Sequence, residues 1–401
     1  MGVTEQIIFI IQAVVFFYLL IAALYYSVFA LAGMFASKFD PPDSPVKRKF
    51  CILIPGYKED IVIVNVAEDA LKQAYPRNKF DVYVIADSFK KETLDKLAKI
   101  PVNVIEVQFD VSTKARSINK ALETIPEDYD GIVILDADNL MDLNFLKKMN
   151  AAMGTGLLAI QAHRMAKNLN TSFAVLDAIS EEVNNHIFRR GHRALGLSSA
   201  LIGSGMTFDF KLYKTYMASI DSLAEDKDLE IKLFDKRQRI EFYDTAYVLD
   251  EKVSKSDVFL KQRSRWIANQ LLYARKFFFK SVIALFKGKI DFFDKIFQHF
   301  LPPRILLLGA IYLIFILSLI FNPWQHSMAW LAIFLLVNLA IAFSVPKRFY
   351  NRHTLKHLLR LPQGFLLMLM SLLNFSEALK SFNPTPKTGD SDSDNNKKVD
   401  K

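Results

Sequence analysis

The sequence predicts an α/β domain with a mostly parallel sheet, facing the cytoplasm and flanked by membrane-spanning helices. Between Phe50 and Arg164, apolar strand patterns alternate with helical ones, the rhythm of βαβ units. Outside that region two long stretches, Ile7–Ser37 and Ile305–Pro346, contain no Asp, Glu, Lys or Arg. Polar residues inside the domain collect just beyond the strands' carboxyl ends, where open α/β sheets bind ligands.

The elements follow in order. Ile7–Ser37 exceeds the roughly 20 residues that a membrane helix needs. It lacks the basic start and the short apolar core of a signal peptide. "FCILIPGY" (Phe50–Tyr57) reads as a buried strand and "IVIVNVAEDALKQA" as its helix. "KFDVYVIADS" precedes "KETLDKLAKI", "VNVIEVQF" precedes "TKARSINKALETI", and "GIVILDADN" precedes "LNFLKKMNAAM". A further strand, "GLLAIQAHR", closes the series. "LAEDKDLEIKLF" (Leu223–Phe234) has helical spacing with acids at its start. "FLKQRSRWIANQLLYARKFFF" (Phe259–Phe279) is a basic amphipathic stretch in which Gln262, Arg265 and Trp266 share one helical face. Ile305–Pro346 is twice a spanning length and breaks at "NPWQH" (Asn322–His326), which predicts a helical hairpin. The resulting divisions are 1–38 (membrane helix), 48–280 (cytoplasmic α/β domain), 281–304 (interfacial linker helix) and 305–346 (hairpin). Segment 347–382 is read as interfacial or re-entrant helices, and 383–401 as a polar, disordered tail.

Basic residues flank the spans at Lys47–Lys49, Arg304, Lys347, Arg348 and Arg352. The positive-inside rule therefore puts Lys38–Arg304 in the cytoplasm of an integral membrane protein and the "NPWQH" turn outside. A net charge of +9 suits a domain resting on an anionic leaflet. No nucleic-acid-binding motif accompanies it. The single cysteine, Cys51, excludes an internal disulfide and fits a reducing compartment. No glycine-rich phosphate loop or GxGxxG fingerprint is present.

The carboxyl-end residues are Pro55, Tyr57 and Glu59 after the first strand, Asp87 after the second, Lys114 beyond the third, and Asp136 and Asp138 at the end of the fourth. Acidic residues number 42 of 401, so the i, i+2 spacing alone carries little and recurs at Asp128/Asp130 and Asp226/Asp228. What distinguishes Asp136 and Asp138 is the apolar strand "IVIL" running straight into them. Two carboxylates at such a lip can hold a hard divalent cation that takes phosphate oxygens as further ligands. Taken together, the four strand ends describe a nucleotide cleft. For Asp226 the competing reading is helix capping; for Trp266 it is a membrane-surface anchor.

The segments "IPGYKED", "IAD", "KARSINKAL", "LDADN", "GSGMTF", "EDKDL" and "QRSRW" occur in that order. Over about Phe50–Phe279 the chain resembles the membrane-embedded family 2 glycosyltransferases of the cellulose, chitin and hyaluronan synthase type. That resemblance implies the GT-A fold and an inverting sugar transfer from a UDP-sugar with Mg²⁺ or Mn²⁺. It implies that Pro55, Tyr57, Glu59 and Asp87 hold the nucleoside and that Lys114 approaches the base or phosphates. Asp136 and Asp138 would hold the metal, Asp226 would be the general base, and Arg265 with Gln262 would face the diphosphate. Trp266, with Gly205 and Met206 of "GSGMTF", would meet the acceptor. Asn139 stands where some relatives carry a third acid. The expected partners are the UDP-sugar, a saccharide or lipid-linked acceptor, the lipid membrane and a second copy of the chain. The expected activity is extension of a cell-surface polysaccharide at the inner membrane face, with a glycolipid synthase as the alternative. "QRSRW" leans toward processive synthesis; so small a membrane portion leans away.

Overall fold

The structure is a computed structural model that describes residues 2–253, 256–321 and 323–373. The expected disordered tail and Asn322 of the "NPWQH" turn lie outside these residues. Along the chain, α1 (Val3–Met34) leads to β1 (Phe50–Tyr57), α2 (Ile63–Ala70), β2 (Phe80–Asp87), α3 (Lys91–Leu97), β3 (Asn103–Val107), α4 (Lys114–Thr124) and β4 (Gly131–Ile134). Next come β5 (Leu140–Met141), α5 (Phe145–Gly154), β6 (Ala159–Ala166), α6 (Ser172–Asn184), a π-helical turn (Asn185–Gly191) and the short α7 (His192–Ala194). The domain continues with β7 (Met206–Asp209), α8 (Phe210–Met217), α9 (Glu225–Asp235) and β8 (Glu241–Asp250). The remaining helices are α10 (Ser256–Phe286), α11 (Ile290–Phe300), α12 (Arg304–Phe321), α13 (Trp324–Ser344), α14 (Arg352–Leu358) and α15 (Leu361–Leu373).

The described strands form one mixed sheet in the order β3-β2-β1-β4-β7-β6-β8-β5. The expected parallel half is present, with β1 parallel to both β2 and β4, and β2 parallel to β3. Alternate residues of β1 face opposite ways, as the period of two requires. Cys51 and Leu53 pack with Ile118, Ala121 and Leu122 of α4 on one face. Phe50, Ile52 and Ile54 pack with Ile63, Val66 and Ala67 of α2 on the other. The second half contains strands that the sequence reading did not name. β7 lies antiparallel between β4 and β6. β8 adds parallel to β6.

Among the described residues, three helices are long and apolar enough to cross a membrane: Val3–Met34, Arg304–Phe321 and Ser327–Ser344 within α13. They pack through Leu19, Ala22, Ala23, Leu307, Ile311, Ile333, Val337 and Ala340; the alanines let the backbones approach closely. α1 also docks on the catalytic domain. Phe29 stacks on His192 at 3.7 Å between ring centres, and His186 Nε2 hydrogen-bonds with Ala30 O at 2.8 Å. Gly191 permits this approach, since a β-carbon there would lie 2.2 Å from Phe29 O. The described part of α15 spans 13 residues, about 20 Å of helix, against a hydrocarbon core of about 30 Å. One expected boundary moves: residues 281–286 continue α10 without a break, so the linker helix is α11 alone.

Candidate active site

A cavity of about 590 Å³ runs from the carboxyl ends of β1, β2 and β4 to the first residues of α12. Pro55, Tyr57, Glu59, Asp87, Lys114, Asp136, Asp138, Asp226, Gln262, Arg265 and Trp266 all line it. Register brings the first of these together, since Tyr57 is level with Asp87 across the parallel β1–β2 pair. Just past both strand ends, Lys58 and Ser88 adopt positive φ values of 55° and 60°, a conformation that costs energy in residues with a side chain. Lys58 N then donates to Asp87 O at 3.0 Å. Asp87 is 1 % exposed and accepts from Ser88 Oγ at 2.9 Å.

Lys114 opens α4, whose cap is Thr113 accepting from Arg116 N at 3.1 Å. Its ammonium donates to Asp136 Oδ1 and Gly203 O, both at 2.6 Å, and lies 3.4 Å from Glu225 Oε1. Burial opposes that charge, but Asp136 and Glu225 more than offset it and hold the lysine pKa above its usual range. Burial also raises Glu225; Lys114 pulls against it, while Asp226 and Asp136 reinforce it, and the carboxyl ends well above the usual glutamate range. Burial depresses Arg265, which Glu225, Asp226 and Asp136 counter.

Asp226 sits at the second position of α9, whose cap residue Ala224 offers no side-chain oxygen. Its Oδ1 accepts from Lys227 N at 2.9 Å, so it does satisfy one helix-end donor. It also faces the cavity across Gly203, whose φ of 81° is compatible with glycine and where a β-carbon would stand 3.8 Å from Asp226 Oδ2 and 3.9 Å from Lys114 Nζ. Asp226 and Lys114 therefore flank one small residue. On α10, Gln262 Oε1 is buried with no hydrogen-bond partner among the described residues, an acceptor left for a ligand.

Two expected acceptor contacts are corrected. Gly205 and Met206 are not among the lining residues. Met206 is 1 % exposed in the core, paired with Ile134 and Gln161. Gly205 is small because a β-carbon would come 3.1 Å from Val248 Cγ2. Gly203, from the same segment, forms the wall instead. Reading the sequence placed Glu225 only among the acids at the start of its helix, and it missed Arg263. The Arg263 guanidinium lies 4.2 Å from the Trp266 ring centre, a cation–π contact that occupies one face of the indole; its signal was the i, i+3 spacing within "QRSRW".

The donor set fits a hard divalent cation. Asp138 is 1 % exposed and accepts from Asn139 Nδ2 at 3.1 Å, as does Asp250. Asn139 therefore orients two carboxylates, as a donor. Among the described residues, no three His, Cys, Asp or Glu side chains gather in a metal-holding group. A pair of carboxylates is what Mg²⁺ or Mn²⁺ uses when waters and phosphate oxygens complete its shell.

The sequence model described as glycosyltransferase like family 2 matches residues 47–269, more than half of the chain. The probable glycosyltransferase YdaM of Bacillus subtilis (strain 168) is 23 % identical over 364 residues, covering 82 % of this chain and 80 % of that one. The mannosyltransferase PcManGT from Pyrobaculum calidifontis, solved in complex with GDP-Man and Mn²⁺, superposes with a TM-score of 0.56 at 14 % identity. That match covers 89 % of this chain and 95 % of PcManGT; the likeness is one of fold.

Proposed function

Because the chain belongs to glycosyltransferase like family 2, we propose that it moves a hexose or N-acetylhexosamine from a UDP-sugar to an acceptor carried by a membrane lipid, with inversion at the anomeric carbon. The carrying observation is the cavity. It joins the strand ends that would hold the nucleotide to Tyr26 of α1, Arg304 and Ile305 of α12, and Met368 of α15. An acceptor hydroxyl at Asp226 and a lipid tail in the bilayer then belong to one molecule.

In this reading Pro55, Tyr57, Glu59 and Asp87 hold the nucleoside. Asp226 takes the proton of the acceptor hydroxyl while its oxygen attacks the anomeric carbon and the bond to UDP breaks. An α-linked donor gives a β-linked product. Arg265 and Lys114 face the departing diphosphate, Gln262 beside them offers Oε1 to a hydroxyl of the bound sugar, and the free face of Trp266 carries the acceptor sugar. Asp136 and Asp138 would hold Mg²⁺ or Mn²⁺, which supplies charge neutralisation for the leaving group. Glu225, tied to Lys114 and raised by burial, orients that lysine and leaves the base role to Asp226.

The competing acceptor, a growing polysaccharide, draws on "QRSRW". It would need a polar corridor through the spans. The three spans instead pack on one another through an apolar seam, and no residue of α13 lines the cavity. PcManGT carries GDP-Man, so a donor panel has to include that nucleotide sugar. The test is purified full-length protein with UDP-hexoses, UDP-N-acetylhexosamines and GDP-mannose, measuring nucleotide release and the solvent partition of the labelled sugar. One sugar, or a few, on a solvent-extractable lipid is expected. Long water-soluble chains would overturn the lipid reading, and binding without release would overturn the enzyme.

A further inference from the structure

The membrane end of the cavity holds two cations that the transfer step does not use. Arg304, the first residue of α12, donates through Nη2 to Ser180 O at 2.9 Å and Ser180 Oγ at 3.0 Å. Among the described residues its Nη1 is buried without a hydrogen-bond partner, and no carboxylate pairs with it. Arg263 is 8 % exposed and pairs through Nη2 with Asp177, while its Nε is a second buried N–H with no partner among the described residues. Phe259 and Trp266, with ring centres 4.8 and 4.2 Å from the guanidinium carbon, hold that group in place. Asp177 and Ser180 are three residues apart on α6 and so share a face, which sets the two guanidinium groups side by side. All four residues line the cavity with Tyr26, Phe188 and Met368.

Buried guanidinium N–H groups left without acceptors are costly, and a cation at the mouth of a membrane helix marks a route for substrate. Unused N–H donors on two adjacent guanidinium groups match the oxygens of a phosphate. We propose that Arg304 and Arg263 seat the phosphate of a lipid headgroup, and that this lipid is the carrier of the acceptor sugar. Its hydrocarbon leaves the cavity beside Met368, where α15 packs on Phe259, Ile267 and Leu306. Trp266 lies against Arg263 and lines the same cavity as Arg265 and Asp226, so a sugar attached to the seated phosphate can be held toward Asp226. The inference rests on the lipid-acceptor reading given above.

The experiment measures binding of farnesyl phosphate, dioleoyl phosphatidic acid, farnesol and inorganic phosphate to the full chain in uncharged detergent, with UDP affinity as the control for folding. A phosphate-headed lipid should bind at least tenfold more tightly than farnesol. Arg304→Gln should weaken that binding on the order of tenfold or more, the scale of a lost charge-assisted contact, and Arg304→Lys should weaken it less. Ser180→Asp, which gives Arg304 an internal carboxylate, should produce the same loss as Arg304→Gln without removing the cation. Farnesol binding should be the same in all of these proteins. Phosphate-headed lipids that bind no better than farnesol, or that ignore both Arg304→Gln and Ser180→Asp, would overturn the seat. So would inorganic phosphate competing as well as either lipid. Sugar transfer separates the two levels. Binding that depends on Arg304 with no sugar transferred to any lipid keeps the seat and sinks the acceptor reading. Transfer to an uncharged lipid, indifferent to Arg304→Gln, does the reverse.

Discussion

Replacing Asp226 with asparagine isolates the proton-accepting role from every other task of that position. The amide is the same size and keeps an oxygen to accept from Lys227 N, which is 2.9 Å from Asp226 Oδ1. Only a negative charge is lost. Lys227 Nζ is 3.8 Å from Asp226 and keeps Glu230 at 3.7 Å, so the ion-pair loss is small. Removing a charge from the first turn of α9 costs about 0.3–1 kcal/mol, which leaves the fold intact. A lost general base slows the chemical step by about 10²- to 10⁴-fold, or about 3–5 kcal/mol in the barrier. UDP affinity should change little, since Lys114, Asp136 and Asp138 are untouched. The assay is nucleotide release under saturating donor, beside calorimetric titration with UDP and a thermal midpoint. Glu225 is a neighbouring carboxylate that could substitute, and losing the adjacent charge makes it easier to ionise. Asp226→Asn with Glu225→Gln removes that escape. Near-normal kcat in the double variant would refute the base assignment and leave Asp226 as a helix-terminus charge.

Other outcomes follow from the same geometry. Chelation by EDTA should abolish transfer, and Asp138→Asn should remove the metal-dependent part of UDP affinity, read by titration with and without Mn²⁺. Trp266→Ala should leave UDP affinity unchanged and raise the KM for acceptor, because the sugar platform is gone while the nucleotide end is intact; unchanged acceptor kinetics would reduce the residue to a partner of Arg263. Burial would lower His163, but its hydrogen bonds to Asp244 and Glu182 outweigh burial and carry its pKa up to about 9. A pKa raised in the folded state gives stability that is complete below about pH 6.5 and lost as pH rises through 9. The thermal-midpoint gap between the parent and His163→Gln should therefore narrow from pH 6 to 9.5. An engineered cysteine just past Ser344 should react only with reagents that enter the cytoplasm if the flanking charges set the orientation.

The parallel half of the sheet was legible because its signals are local. An unbroken apolar run such as "CILI" or "IVIL" is a buried strand whatever lies around it, and the polar residue that follows marks its end. β7 and β8 were not, since four residues of β7 carry too little pattern and β8 is interrupted by Asp244 and Thr245. Gly205 and Met206 misled for the same reason, as the segment "GSGMTF" changes from cavity wall to core strand within three residues. Arg304 read in the sequence as a charge that orients a span. Its unused N–H is a tertiary fact, created when α6 offers Arg304 the oxygens of Ser180 and bonds only one of its two terminal nitrogens.

The docking of α1 sets a problem of timing. During synthesis this helix leaves the ribosome ahead of everything it will touch. Its partners are the π-helical turn carrying His186 and Gly191, the Asp294 carboxylate that Tyr25 reaches at 2.7 Å, and α13, which is made later still. Until then the alanine seam and the rings of Tyr25, Tyr26 and Phe29 are without their protein partners, and a bilayer would shelter their apolar surface where water would not. Expressed without α1, the catalytic domain would present Phe188, His186 and His192 to water, and a nominally soluble truncation should be recovered as an aggregate.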